Sequence, residues 1–333
     1  MGDGFGGAIL VEVHDTLILK AGYGWANREE RLPFTPQTIA QIGSLTKQFT
    51  ATAILSLAHD GLVDLDDTAG AYLPDAAEPG ASLTLRQLLT HTAGMPEYCG
   101  HDFERYSIHD LLTKCMATPL LYPPGTDYAY SNPGFSVLGA IVQRVSGQSY
   151  ESFLRDRFFT PLGITHTAYF YPDLPRDRFA VGYYENAPQG VISDQLSALR
   201  PDFWNLEGNG GMQSTVEDMY RWYQALSGAH AGTPDVLGSD VRSALLAPHY
   251  ARGPAGESVG YGWRFDLDST GQPQVMLHGG SDLVFLAYFI WRPVDRTFFY
   301  IVGNNGADQI IPVLKAARKL LNDATVANAG EAG

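Results

Sequence analysis

The sequence predicts an α/β fold in which both chain ends build one antiparallel sheet flanked by helices, with a mainly helical region inserted between them. Three observations lead there. β-branched and aromatic runs cluster near the two ends, an amphipathic segment closes the chain, and the middle carries helix-start signals instead of strand runs. With 333 residues, 45% of them hydrophobic and 17% charged, the chain has material for a sizeable core and falls outside the disordered and fibrous classes.

The first run, residues 7–23, reads as two strands around a polar turn at His14 and Asp15, a hairpin. The segment QIGSLTKQFTATAILSLAHDG reads as a helix whose apolar face is Phe49, Ala53, Ile54, Leu57 and Ala58, ended by Gly61, with Ser44 at or just before its first turn. Thr84 and Gln87 form a T-x-x-Q capping box for a helix stopping near Gly94. Asn132 followed by Pro133 reads as an N-cap and first helical position, with Gly147 as the stop. Ser214 and Glu217 read as a second capping box for a helix through Leu226. Runs at 261–265, 275–278, 283–291 and 297–302 predict an antiparallel meander, and Ile310, Ile311, Leu314 and Ala317 recur at helical spacing in the tail, 308–321. The expected organisation is one domain over 1–333, with a sheet part at about 5–60 and 257–325 and an insertion at about 61–256.

Charge and composition exclude several function classes. Lys plus Arg is 22 against 36 Asp plus Glu, a net charge of −14, which argues against nucleic acid as a partner because phosphate binding needs clustered cations. No run is long and apolar enough to span a bilayer, and residues 1–7 do not read as a secretory signal. The expectation is a cytoplasmic protein, or the mature part of an exported one whose leader was removed. Two cysteines, Cys99 and Cys115, are too few for a disulfide framework and are expected to be buried free thiols.

Three short patterns carry chemistry. Ser44 and Lys47 stand three apart at a helix start and face the same way. A serine hydroxyl needs a neighbouring base to act as a nucleophile, and a lysine amine serves if burial lowers its pKa. With 18 Ser and 5 Lys in the chain, about 0.3 S-x-x-K matches arise by chance, so the pattern does not stand alone. Tyr130-Ser131-Asn132 is Y-x-N after the rigid Pro123-Pro124-Gly125, although Tyr184-Glu185-Asn186 has the same spacing. His278-Gly279-Gly280 ends a predicted strand before Ser281, and H-x-G recurs at His59 and His230. Glycines at a strand end permit close backbone approach.

In this order the elements resemble the serine β-lactamase and penicillin-binding protein superfamily. The tyrosine heading the second element is similar to the class C β-lactamase branch and its esterase and D-aminopeptidase relatives. The segments GYGWANREERLPFTPQT, IGSLTKQFTA, LTLRQLLTHTAGMPEY, YSNPGFSVLGAIVQRVSG, FFTPLGITHT, GNGGMQSTVEDMYRW and HGGSD spread the resemblance over nearly the whole chain. The third element departs from it: β-lactamases typically begin it with lysine, and here it begins with His278. No class A deacylating glutamate motif follows Asn132.

The resemblance implies a β-lactamase-like (DD-peptidase) fold and an acyl-enzyme mechanism. Ser44 would attack a carbonyl carbon, Lys47 and Tyr130 would hold and shuttle its proton, and Asn132 would bond the lysine or the substrate amide. Backbone N–H groups of Ser44 and Ser281, at the edge of His278-Gly279-Gly280, would form the oxyanion hole. Tyr130 would be the base that activates water for acyl release. No metal or organic cofactor is required. Tyr98, Trp204, Trp291 and Arg292 are candidate cleft residues. The expected partners are small esters, amides or D-amino acid peptides, turned over faster than β-lactams because His278 supplies no fixed cation unless Arg292 or another one substitutes. β-Lactamase or D-Ala-D-Ala carboxypeptidase activity, acyl transfer, and a non-catalytic peptidoglycan-binding module are the competing readings.

Overall fold

A computed structural model describes residues 4–171, 173–252, 256–282 and 284–330. Its frame, in chain order, is β1 (Gly7–Val13), β2 (Thr16–Tyr23), α1 (Thr46–His59), α2 (Leu85–Leu89), α3 (Asn132–Ser146), α4 (Val216–Ser227), β3 (Tyr250–Arg252), β4 (Glu257–Gly260), β5 (Trp263–Leu267), β6 (Pro273–Ser281), β7 (Leu286–Arg292), β8 (Thr297–Gly303) and α5 (Ala307–Gly330). Eight strands form one antiparallel sheet in the order β2-β1-β8-β7-β6-β5-β4-β3, so the two chain ends meet where β1 pairs β8. β3 precedes the expected start of the sheet's second half at 257 and extends its edge. Position 283, the first residue of one predicted run, lies outside the described residues.

Period-two alternation explains the central strands. In β1, Ala8 and Leu10 enter the large core under α4, whereas Ile9 and Val11 pack with Ile310 and Leu314 of α5 on the opposite face. Both faces are covered, which is why β1 and β8 read as continuous apolar runs. No helix among the described residues is long and apolar enough to cross a membrane.

Helix α1 is the centre of the large core, buried from Thr46 to Leu57. The sequence marks one apolar face, but polar positions are inside as well: Gln48 Oε1 accepts from Trp222 Nε1 at 3.1 Å while its Nε2 has no partner among the described residues, and Thr52 Oγ1 donates to the Gln48 carbonyl at 2.7 Å. Burial on all sides favours such bonding, since an unpaired polar group inside costs about 1–3 kcal/mol.

Local expectations are met in part. The Thr84/Gln87 capping box is present, although α2 ends at Leu89, well before Gly94. Gly147 terminates α3 in the left-handed region at φ 70°. The cap of α3, however, is Ser131: its Oγ accepts from the Gly134 N–H at 3.2 Å, leaving the Asn132 side chain free. Thr215, one residue after Ser214, caps α4 by accepting from the Asp218 N–H.

The cysteines are not free thiols. Cys99 and Cys115 form a disulfide, their Cα atoms brought to 5.5 Å by the packing of the 96–107 segment on the 111–115 helical turn. That separation suits a bridge, and a sequence cannot display it. Closing a loop of this length is worth about 3 kcal/mol. Reduction by a dithiol, or the paired change Cys99→Ser and Cys115→Ser, should lower the urea unfolding free energy by about that amount; an unchanged midpoint would show that the bridge does not constrain the fold.

Candidate active site

Ser44 lies in a 3₁₀ turn, Gly43–Leu45, that runs directly into α1. The turn is pressed against the end of β6, and two glycines permit it. A Cβ on Gly280 would sit 1.9 Å from the Ile42 carbonyl oxygen, and one on Gly43 would sit 2.8 Å from the Ser281 nitrogen. Gly43 also has φ 52°, where side chains are strained. The close approach brings the backbone nitrogens of Ser44 and Ser281 to the same corner of the cleft. Gly279 faces the Tyr288 ring, with 2.9 Å available to a Cβ.

Lys47, one turn along, is completely buried. Its Nζ lies 2.7 Å from Asn132 Oδ1, 2.7 Å from the Asn209 carbonyl oxygen and 3.2 Å from Ser44 Oγ. Burial drives its pKa well below the usual lysine value, against the opposing pull of Asp102 and Glu97. The contacts suit the neutral amine: two N–H bonds go to acceptor-only carbonyls, and the lone pair is left for the Ser44 hydroxyl proton.

Tyr130 and Asn132 are two apart on extended backbone, with Ser131 at φ −135° and ψ 116°, so both side chains face the same side. The Tyr130 hydroxyl hydrogen-bonds the Ser44 side chain, and its ring centroid is 4.8 Å from Lys47 Nζ. Burial raises the Tyr130 pKa, keeping the phenol protonated. A protonated phenol suits a proton relay, and Lys47 Nζ lies beside the same Ser44 hydroxyl. Tyr184, the alternative in the second pattern, is 45% exposed in a short hairpin strand, Gly182–Tyr184. The alternatives to His278 are also outside the cleft: His59 ends α1, and His230 bonds Glu12.

His278 is buried, and its Nδ1 lies 2.7 Å from the Gly279 carbonyl oxygen. A carbonyl only accepts, so Nδ1 carries the proton, and the neutral ring keeps Nε2 as an acceptor. Burial pushes its pKa down to about 3. The position therefore supplies no cation near neutral pH.

The cleft around these groups has a volume of about 430 Å³. Arg252 and Arg264 contribute cations to its lining, and Glu97, Asp102 and Asp282 contribute carboxylates. The Arg252 guanidinium lies 4.3 Å from the centroid of the Tyr128 ring. Burial pushes Asp282 up to about 6, although the backbone N–H groups of Phe285 and Val284 hold it down. Tyr98 lines the cleft as expected. Trp204 sits in an adjoining small recess, Trp291 is packed on Tyr223, and Arg292 pairs with Asp295 at 2.8 Å. Arg292 is six residues along β7 from Leu286, the partner of Ser281, or about 20 Å at strand rise, which removes it from the site.

Four contributors were not singled out in the sequence: Asn209, His91, Arg252 and Arg264. The available signal for Asn209 was its glycine-rich run. Gly208 has φ 83°, and a Cβ there would lie 2.7 Å from the Phe135 carbonyl oxygen, so the chain turns tightly and presents the Asn209 carbonyl to Lys47. One group outside the cleft has metal-ligand donor types, Glu12, Asp15 and His230, but Glu12 is already bonded by Tyr220 and His230.

The beta-lactamase family model matches residues 2–312. Penicillin-binding protein 4* of Bacillus subtilis is 26% identical over 95% of this chain and 72% of its own length. Protein flp of Staphylococcus aureus (strain COL) is 26% identical over 92% of this chain, which spans only 60% of that protein. The crystal structure of a penicillin-binding protein from Bacillus halodurans superposes with a TM-score of 0.79 at 25% identity, covering 94% of this chain and 97% of that one. A class C beta-lactamase superposes at 0.80 with 22% identity, covering 93% and 89%, a likeness of fold.

The placement of the two tyrosines gives a direct test. Tyr130→Phe should lower turnover of a nitrophenyl ester by about 10² or more, the usual size of a general acid–base contribution, with Tyr184→Phe close to neutral. The opposite ranking would contradict the pairing of Tyr130 with Ser44.

Proposed function

The chain belongs to the beta-lactamase family, and from that premise we propose that it is a serine hydrolase that cleaves ester or amide bonds through an acyl-enzyme on Ser44. The observation that carries the proposal is the buried Lys47 amine, with two contacts on carbonyl oxygens and its third on Ser44 Oγ.

In the first half-reaction Lys47 takes the Ser44 proton as Oγ bonds to the substrate carbonyl carbon. The oxyanion is received by the backbone N–H groups of Ser44 and Ser281, where loss of one donor typically costs about 2.7–4 kcal/mol in barrier. The proton passes through the Tyr130 hydroxyl to the leaving oxygen or nitrogen, and the carbonyl–heteroatom bond breaks. In the second half, water gives its proton to Lys47, attacks the acyl carbon, and releases the acid as Ser44 regains its proton. An alcohol or amine in place of water makes the same site an acyltransferase.

A second reading concerns substrate class. The neutral His278 supports esters and amides over β-lactams, but that expectation excluded anionic substrates only if no other cation served the cleft. Arg252 and Arg264 line it, which favours peptide-like substrates with a free carboxylate, of the D-alanine carboxypeptidase kind, beside simple esters.

The test compares kcat/KM for a nitrophenyl butyrate, a D-alanine amide, a D-alanyl-D-alanine peptide and a cephalosporin. Ser44→Ala should abolish turnover of all of them and prevent labelling by a fluorophosphonate. Replacing Arg252 and Arg264 together by Ala should cost the carboxylate-bearing peptide about tenfold or more and spare the ester, since about 1.4 kcal/mol is a tenfold effect. Activity retained in Ser44→Ala would refute the mechanism, and equal losses on ester and peptide would refute the carboxylate assignment.

A further inference from the structure

His91 ends the Leu88-Leu89-Thr90-His91 stretch just beyond α2 and is buried, 6% exposed, with a backbone φ of 58°. A non-glycine residue in this region is uncommon, and when packing enforces it the cause is usually found at a functional site. What His91 holds is the stretch that carries Tyr130 and Asn132. Its carbonyl accepts from the Ala129 N–H at 3.0 Å, and its Nδ1 accepts from the Ser131 N–H at 3.1 Å. Two residues apart on extended backbone, those N–H groups point to one side. The intervening Tyr130 lays its ring on the imidazole, with centroids 4.4 Å apart and planes at 32°. Phe135 of α3 supports the imidazole too, with centroids 5.0 Å apart.

The Nδ1 contact also fixes the chemical form. A backbone N–H only donates, so Nδ1 must present its lone pair; a protonated ring would set two donors against each other. Burial keeps the imidazole neutral, and the charge of the nearby Arg252 acts in the same direction.

We propose that His91 is a positioning residue for the hydrolysis: through its Nδ1 lone pair on the Ser131 N–H and its ring under Tyr130, it sets the register that brings the Tyr130 hydroxyl to Ser44 and Asn132 Oδ1 to Lys47. The proposal rests on the serine hydrolase reading above. It assigns His91 no contact with the reacting atoms, so its loss should weaken the chemical step and leave substrate binding nearly intact.

Asparagine and glutamine separate this role from general packing. The Asn side-chain oxygen reaches the position of imidazole Nδ1, and Asn tolerates positive φ; the Gln oxygen extends toward the Nε2 position. His91→Phe retains a ring and removes the acceptor. With a nitrophenyl ester as substrate and thermal unfolding as the check on folding, His91→Asn should keep kcat within about tenfold of the parent. His91→Gln and His91→Phe should lose about 10² in kcat with KM within a few-fold, the pattern of an interaction needed in the transition state. If the Phe variant does not fold, the Asn and Gln pair carries the comparison. Equal kcat in Asn and Gln, or a loss confined to KM, would overturn the assignment. Fluorophosphonate labelling of the parent at Ser44, read by mass spectrometry, distinguishes the two levels: a labelled parent with equal variants refutes the role of His91 alone, whereas a parent that neither labels nor turns over refutes the hydrolase reading and the positioning role together.

Discussion

The site depends on one buried amine. An isolated ammonium inside a protein is so costly to desolvate that it gives up its proton, and Lys47 is wholly enclosed, with no carboxylate among the described residues in hydrogen-bonding contact. Asp102 and Glu97 act on it only from a distance and oppose the shift without cancelling it. In the proposed mechanism burial makes a base from a residue that water would keep charged, and its three neighbours, two carbonyl oxygens and a hydroxyl, match the donors and lone pair of the neutral form.

That enclosure needs the sheet and the helical region at once. α1 carries Lys47 and the turn before it carries Ser44, β6 closes one side through Gly280, the turn at Gly208 and Asn209 closes another, and the 129–132 stretch closes a third. Each approach is a backbone approach, made where a glycine leaves room or a side chain grips the main chain. The Cys99–Cys115 bridge serves the third side indirectly: the segment it ties down offers the Glu97 carbonyl to the Asn132 N–H at 3.2 Å and the Pro96 carbonyl to Ser131 Oγ at 2.9 Å.

Much of this was legible in the sequence because it follows from short-range periodicity. The end hairpin, the meander and the closing helix appear as alternation and helical spacing, and Ser44 with Lys47 share a helix face by arithmetic. The S-x-x-K, Y-x-N and H-G-G patterns located three sides of the site, but spacing alone did not choose Tyr130 over Tyr184; exposure and backbone did. What was not legible depends on distant segments meeting. The disulfide needed the two Cα atoms brought together, and Arg252 on the edge strand β3 and Arg264 on β5 lie on strands whose place beside the cleft only the sheet order reveals. Arg292 was the cation that the sequence put forward, and strand rise carried it out of reach. Ser131 displaced Asn132 as the helix cap because both residue types cap equally well, and only the tertiary demand of Lys47 for an acceptor separates them.

The charge state of Lys47 is the claim on which the rest stands, and NMR reads it directly. With carbon-13-labelled lysine, the Cε resonance of Lys47, assigned by its absence in Lys47→Arg, should titrate far below the other four lysines, so that the amine is neutral under the conditions of turnover. A Lys47 resonance that titrates together with the surface lysines would mean that the ammonium persists in the core, and would contradict its assignment as the base.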